Sequence, residues 1–160
     1  MGTEKKKETR TATPRRIAFW DLKAIVNIER ASYNTPWDKD QLEALLIEPD
    51  VEGWGLYFGG KIQAYAIIRY RTRHAYLETL TVHPKCRRQG LAADLMSAVF
   101  DRATQHGSRS IVLEVHESNL AAQLFFKRLG FTVSKVMHGY YEDEADAYLF
   151  ARRLYATQTA

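Results

Sequence analysis

Apolar positions along this chain switch between helical spacing and strict alternation, the two periodicities that separate helix from strand. Leu22, Ile25, Val26 and Ile28 share one helical face and predict a helix from Asp21 to Ser32, after a short strand at Arg15 to Phe19. Pro36 breaks the pattern, because proline restricts the residue before it, here Thr35, and cannot continue a helical ladder. Asp38 followed by Gln41 reads as a capping box that opens a second helix through about Glu48. Two runs rich in aromatic and β-branched residues, Val51 to Phe58 and Lys61 to Arg71, flank Gly59-Gly60 and predict a hairpin. A strand at Ala75 to Val82, a long helix from Gly90 to about His106 and a buried strand at Ser110 to His116 follow. The last elements are a helix at Asn119 to Leu129, stopped by Gly130, and strands at Phe131 to Met137 and Ala145 to Leu154 around "HGYYEDE".

This order predicts one domain of the α/β (α+β) class, a hairpin first and then a β-α-β-α-β tail. A length of 160 residues suits a single core. With 46% hydrophobic and 26% charged residues, the composition is that of an ordinary globular protein. The net charge of +4 is modest, and part of it sits in "MGTEKKKETRTATPRR". That opening is nearly free of apolar residues, so residues 1–14 are expected to be a disordered tail, with the domain at 15–155 and a short tail at 156–160. No run of about 18 apolar residues is present and the opening lacks an apolar leader core, so the expectation is a cytoplasmic protein without membrane attachment. A lone cysteine, Cys86, excludes an internal disulfide framework.

Chemistry concentrates in "TLTVHPKCRRQGLAADLM", residues 79–96. Backbone N–H groups in the first turn of a helix lack partners, and the helix dipole adds positive charge there. Gly90, Ala92 and Ala93 leave that turn open, and Arg87 and Arg88 add cations, so "RRQGLA" can cradle a diphosphate. A solvated basic loop is the plainer reading, and this stretch alone leaves both open. Competing motifs fail. "GWGLYF" has Phe58 where a dinucleotide fingerprint needs its third glycine, no Walker A spacing occurs, and "HESNL" has Leu120 where a zinc-protease helix needs histidine. The five histidines show no metal spacing, so no metal is expected. Cys86 lies among cations that favour a thiolate, but no histidine stands at a recognisable partner spacing. The cations are split between the tail and the loop, which argues against a nucleic-acid-binding face.

"LTVHPKCRRQGLAADLM" resembles the acetyl-CoA signature of the GNAT superfamily of N-acetyltransferases, Arg/Gln-x-x-Gly-x-Gly/Ala, with Arg87, Gly90 and Ala92 in its places. "VLEVHESNLAAQLFFKRLGF" resembles the superfamily's partner motif. "ERASYNTPWDKDQLE" and "GYYEDEADAYLF" are similar to stretches of bacterial ribosomal-protein-alanine and archaeal N-terminal acetyltransferases. The resemblance spans about Arg15 to Tyr155. It implies a mixed central sheet of about six or seven strands flanked by about four helices, with acetyl-CoA as co-substrate.

By position, the resemblance implies that the backbone of Leu80, Thr81 and Val82 pairs with the pantetheine arm. It further implies that the backbone of Arg88, Gln89, Gly90, Leu91, Ala92 and Ala93 holds the diphosphate, and that Asn119 hydrogen-bonds the pantetheine. Glu114 takes the place of the general base. A carboxylate among Ile111, Val112, Leu113 and Val115 is costly without a partner or a task, the bland alternative being an ion pair with an arginine across the sheet. Glu78 is the second candidate base, and alternation along its strand predicts that it shares a face with Leu80 and Val82. The superfamily's acid, a tyrosine, is replaced here by Phe126, which leaves water, Tyr140 or Tyr141 to protonate the leaving thiolate.

Tyr33, Trp37, Tyr140 and Tyr141 fall in the two loops that, by resemblance, flank the amine. Their flat walls suit an extended peptide backbone, and Glu142, Asp143, Glu144 and Asp146 favour a cationic acceptor. The expected partner is a protein or peptide N-terminus with a small first residue, a ribosomal protein being one such partner. A small-molecule amine or antibiotic acceptor is the alternative, and a non-catalytic acyl-CoA sensor a further one.

Overall fold

Helix α1 (Leu22–Ser32) buries Leu22, Ile25, Val26 and Ile28, the stripe its sequence spacing predicts. Before it, the chain of the computed structural model forms only a two-residue strand β1 (Arg15–Arg16) and then a 3₁₀ turn. The predicted strand stops short because the Asp21 carboxylate accepts the Ala18 N–H at 2.8 Å and the Tyr57 hydroxyl at 2.6 Å, which turns the backbone. Helix α2 (Lys39–Leu46) starts at the capping box: Asp38 accepts from the Gln41 N–H and the Gln41 side chain from the Asp38 N–H. The structure describes residues 13–58 and 60–155. Most of the expected tail 1–14, the tail 156–160 and Gly59 of the hairpin lie outside them.

Strands β2 (Val51–Phe58), β3 (Lys61–Tyr70) and β4 (His74–Val82) form an antiparallel meander, with Phe58 opposite Lys61 at the hairpin. Helix α3 (Leu91–Gln105), β5 (Ser110–His116), α4 (Leu120–Arg128), β6 (Thr132–Met137) and β7 (Ala147–Arg153) complete a seven-stranded mixed sheet of order β1-β2-β3-β4-β5-β7-β6. The last strand begins at Ala147 rather than Ala145 because the two preceding residues serve the loop: Ala145 donates to Asp143, and Asp146 donates to Glu117.

Each face of the sheet has its own core. One holds Ala66, Ile68, Leu77, Met96, Val99, Leu113, Phe126 and Phe150 under α3 and α4; the other packs Tyr65 and Ile67 against α1 and α2. Each such valine, leucine, isoleucine, methionine or phenylalanine side chain removed from water stabilises the fold by about 1.5–3 kcal/mol. Gly53 and Gly55 lie inside β2, where a Cβ on Gly53 would come within 2.7 Å of Leu46 and 2.8 Å of Ile17. "GWGLYF" is therefore strand packing, not a nucleotide loop.

Glu52 of β2 ties the far end of α3 to the sheet. It accepts from Arg102, Trp54 and Tyr70, pairs with Arg16 at 3.0 Å and contacts His106, which stacks on Tyr70. Burial pushes its pKa up, but hydrogen bonds from Arg102, Trp54 and Tyr70 outweigh burial and hold it at about 2.

Two irregularities shape the middle of the sheet. Parallel pairing of β4 with β5 is confined to His74–Ser110, Ala75–Ile111 and Tyr76–Val112. Beyond Tyr76 the strands are no longer paired with each other. A bulge also interrupts the β3–β4 ladder: Ile67 faces Thr79 and Ile68 faces Leu77, so Glu78 is the extra residue. Among the described residues, no helix is long and apolar enough to cross a membrane.

Candidate active site

Where β4 and β5 separate, a cleft of about 600 Å³ opens, lined by β4, the loop before α3, the first turn of α3 and one side of α4. Leu80, Thr81 and Val82 line it and are paired only on their β3 side, opposite Ala66, Tyr65 and Ala64. Their other edge, apart from the Val82 carbonyl that accepts from Arg87, leaves backbone groups for an extended polar ligand.

At one end of the cleft, the α3 N-terminus is left bare. Its first backbone bond runs from the Asp94 N–H to the Gly90 carbonyl at 3.1 Å, and no side chain caps the helix. Gly90 has φ +81° and Arg88 φ +61°, left-handed conformations that turn the loop into the helix. A Cβ at Gly90 would meet nothing within 4 Å, so the space above these amides is open. The loop is braced by the Lys85 N–H on His83 Nδ1 and the Cys86 N–H on the His83 carbonyl. Unpaired amides, a helix dipole and arginines fit an anion such as a diphosphate. Arg87 Nε donates to the Val82 carbonyl at 3.2 Å, so this arginine fixes the loop as well as lining the cleft. Arg88, Leu91, Ala92 and Ala93 line it too, while Gln89 stands in the loop without doing so. Arg128 of α4 joins from the opposite wall, a cation that sequence reasoning passed over because it lies far from the basic loop. Cys86 also lines the cleft, with its thiol donating to Gln63.

Midway, the Asn119 carboxamide oxygen accepts the Ala122 N–H at 3.1 Å, capping α4 and leaving its –NH₂ as a donor toward the cleft. Phe126 is 6% exposed and packs edge-on against Phe125 and Phe131. It borders both the cleft and an adjoining inner compartment of about 240 Å³, to which it brings no hydroxyl.

That compartment gathers Tyr33, Glu78, Glu114, His116 and Tyr141. Glu114 projects opposite the buried Leu113 and Val115 and is half-buried. The arginine partner considered for Glu114 belongs instead to Glu78, whose Oε1 accepts from Arg69 Nε at 2.7 Å. Arg69 also pairs with Glu48 and with Asp50. The expectation that Glu78 shares a face with Leu80 and Val82 is corrected. Leu80 and Val82 pack with Leu91 and Leu95 below the sheet, while Glu78 reaches a hollow lined by Trp37, Gln41 and Leu45 above it. The bulge at Glu78 interrupts the alternation on which that expectation rested.

Phenols surround Glu114. Tyr140 is held up at about 12, first by a hydrogen bond to Glu114 and then by burial. Tyr76 is raised by burial and next by its own hydrogen bond to Glu114. Tyr141 is raised by burial, then by the charges of Glu114 and Asp143. All three therefore keep their protons at neutral pH. Tyr76 was overlooked in the sequence, although it lies two residues from Glu78 on one strand.

The loop carrying Tyr140 and Tyr141 is clipped to the end of β5. His116 contacts Asp143 at 3.1 Å and packs on the Tyr141 ring, and Glu117 accepts the Asp146 N–H. Tyr33 stands opposite, its hydroxyl 2.9 Å from Thr81 Oγ1. Among the described residues, no group of three or more histidine, cysteine or acidic side chains could hold a metal.

The profile of the acetyltransferase (GNAT) family matches residues 22–131. The chain is 31% identical over 121 residues to the [ribosomal protein bS18]-alanine N-acetyltransferase of Escherichia coli, covering 76% of this chain and 81% of that protein. It is 33% identical over 94 residues to N-alpha-acetyltransferase 30 of Schizosaccharomyces pombe, covering 59% of this chain and 63% of that one. The crystal structure of the ribosomal-protein-S18-alanine N-acetyltransferase from Escherichia coli superposes with a TM-score of 0.82 at 28% identity, over 92% of this chain and 97% of that chain.

Proposed function

The chain belongs to the GNAT acetyltransferase family and is an acetyl-CoA-dependent N-acetyltransferase, and we propose that its acceptor is the α-amino group of a protein N-terminus with a small first residue. The observation that carries this reading is the polarity of the site. One end of the cleft offers amides and arginines; the other gathers Glu78, Glu114 and Tyr141 beneath an acidic loop. An acyl donor bearing phosphates enters from the first end, and a cationic amine from the second.

Leu80, Thr81 and Val82 hold the donor's arm by their free backbone edge, Asn119 donates to it, and the loop through Arg88, Gly90 and Ala93 holds its diphosphate. The thioester that the donor supplies is the group the amine attacks. A peptide α-amine has a pKa near 8 and is largely protonated at neutral pH, so it must first lose a proton. Glu114 accepts that proton, directly or through one water. As the new C–N bond forms and the C–S bond breaks, Tyr141 gives its proton to the departing sulfur. Tyr140 is less suited, because it is exposed and lies outside the lining of the inner compartment, which Tyr141 joins. Glu78, held by Arg69, adds fixed negative charge that draws the ammonium in. Phe126 packs beside the thioester.

Tyr33, Trp37, Tyr140 and Tyr141 form the walls that leave room for only a small first side chain, and Glu142 and Glu144 favour basic residues further along the acceptor. A lysine side chain, with a pKa near 10.4, would need more help to lose its proton. The test is thiol release with peptides that begin Ala or Ser. Free N-termini are expected to react, and the same peptides blocked there but carrying an internal lysine are expected not to. Equal rates on both, turnover only with small amines or antibiotics, or binding of acetyl-CoA without amine-dependent thiol release would overturn the reading.

A further inference from the structure

Glu29 is a buried carboxylate that this chemistry leaves unused. It lies in the last turns of α1, 4% exposed, and among the described residues it forms no ion pair with lysine, arginine or histidine. Its charge is met by neutral donors instead. Oε1 accepts the hydroxyl of the fully buried Tyr65, and Oε2 accepts the Trp37 backbone N–H at 3.0 Å. Its own carbonyl accepts the Tyr33 N–H at 2.9 Å. The Glu29 side chain therefore holds the Trp37 end of the segment 33–37 and the helical backbone holds its Tyr33 end, and this segment carries two of the four aromatic walls.

The same segment is tied to the donor strand. The Tyr33 hydroxyl meets Thr81 Oγ1 at 2.9 Å, Thr79 Oγ1 lies 3.2 Å from Thr81 Oγ1, and Tyr65, which donates to Glu29, stands opposite Thr81 in the β3–β4 register. Beside this tie, a hydrogen-bonded path runs from the Trp37 amide through Glu29 to Tyr65, on the strand that pairs with Thr81. Thr81 is also a residue of the strand edge that lines the cleft. Buried hydrogen bonds to a charged acceptor are stronger than neutral ones, so this path is stiff.

We propose that Glu29 is the positioning residue of the acceptor loop, fixing Tyr33 and Trp37 relative to β4 and so setting how strictly a small first residue is demanded. The proposal rests on the peptide-acceptor reading above. A loop held at both ends cannot yield to a larger side chain; released at Trp37, it can.

The test compares Glu29→Gln and Tyr33→Phe with the parent protein. Glu29→Gln keeps the volume but turns one acceptor oxygen into an N–H donor facing another donor, whereas Tyr33→Phe removes only the tie to Thr81. In Glu29→Gln, loss of a hydrogen bond to a charged group is expected to raise the KM for an Ala-first peptide about tenfold. The KM for acetyl-CoA is expected to be unchanged, and the preference for Ala-first over Leu-first peptides to fall. Tyr33→Phe is expected to shift the same two quantities in the same direction. Trp37 amide exchange, followed by NMR in the protein without substrates, is expected to accelerate in Glu29→Gln. Peptide and acetyl-CoA KM rising together, preference unaltered in Tyr33→Phe, or Trp37 exchange unchanged would overturn the proposal. If Glu29→Gln does not fold, the preference in Tyr33→Phe decides it. A parent protein that rejects every peptide would instead remove the acceptor reading, and Trp37 exchange would still test the clamp.

Discussion

Arg69 Nε sits 2.7 Å from Glu78 Oε1, and that contact separates the two carboxylates at the reactive end of the site. Glu78 is partnered by a cation that also serves Glu48 and Asp50. Glu114 has phenols for neighbours and, among the described residues, no arginine ion pair.

Glu114→Gln keeps the shape of the side chain and removes the proton acceptor. The expected result is a fall in kcat of about 10²-fold or more, since general-base catalysis contributes on that scale. Raising the pH is expected to recover part of the loss, because more of the acceptor amine is then already neutral. Glu78→Gln is expected to raise the acceptor KM with a smaller effect on kcat. Steady-state kinetics on both variants would assign the base to Glu78 if the pattern were reversed.

Tyr141→Phe tests the acid. The ring remains to pack on His116 while the hydroxyl is lost, so kcat is expected to drop at least tenfold with acetyl-CoA affinity unchanged, within the range general-acid catalysis supplies. Tyr140→Phe is expected to cost less. Equal rates for Tyr141→Phe and the parent would leave water as the proton donor.

Gly90→Glu puts a carboxylate and a Cβ where the anion cradle requires bare amides at φ +81°. A ligand that binds only the native state at 100 times its Kd stabilises it by about 2.7 kcal/mol, and this variant is expected to lose the corresponding acetyl-CoA-induced rise in Tm. Forcing a non-glycine residue into that conformation costs about 1–2 kcal/mol, so Tm without ligand falls too. Gly90→Ala carries the same strain without the charge and is expected to keep part of the ligand-induced rise. A full shift in Gly90→Glu would place the diphosphate elsewhere.

Glu52 makes stability sensitive to acid. Its folded pKa of about 2 lies below the ordinary carboxylate value near 4.5, so its contribution is complete above that ordinary value. The contribution is lost as pH falls toward about 2. Glu52→Gln is expected to be less stable than the parent at pH 7, with the gap closing as pH falls through that window. Denaturant unfolding at several pH values measures it; a gap that stays constant would contradict the linkage.

Much of the architecture was legible in the sequence because local signals agreed. Helical spacing placed α1, the Asp38–Gln41 box placed α2, and the basic loop with its glycine located the junction before α3. The candidate site was legible only where it follows the chain. A bulge has no sequence signature when the extra residue is a polar one in an alternating strand, which is why Glu78 was assigned to the wrong face. Arg69, Tyr76 and Arg128 were missed for a related reason. Each reaches its partner across the sheet or the cleft, from a position whose sequence neighbours say nothing about that partner. Glu29 looked like any polar residue on a helix until Tyr65 and Trp37 were brought to it.

The three-pair junction between β4 and β5 bears on folding as well as on binding. The meander of β2–β4 forms from neighbouring segments, with β1 added at its edge, whereas β5, β7 and β6 form a second antiparallel unit joined to the first along that short seam and through the α3 and α4 cores. Such a seam is where partial opening costs least, so hydrogen exchange without substrate would sort the amides into two cooperative blocks divided there. In the cofactor placement proposed above, a donor along β4 and against α4 would bridge the blocks. On that placement acetyl-CoA is expected to merge the two exchange blocks into one, which the free protein would show apart.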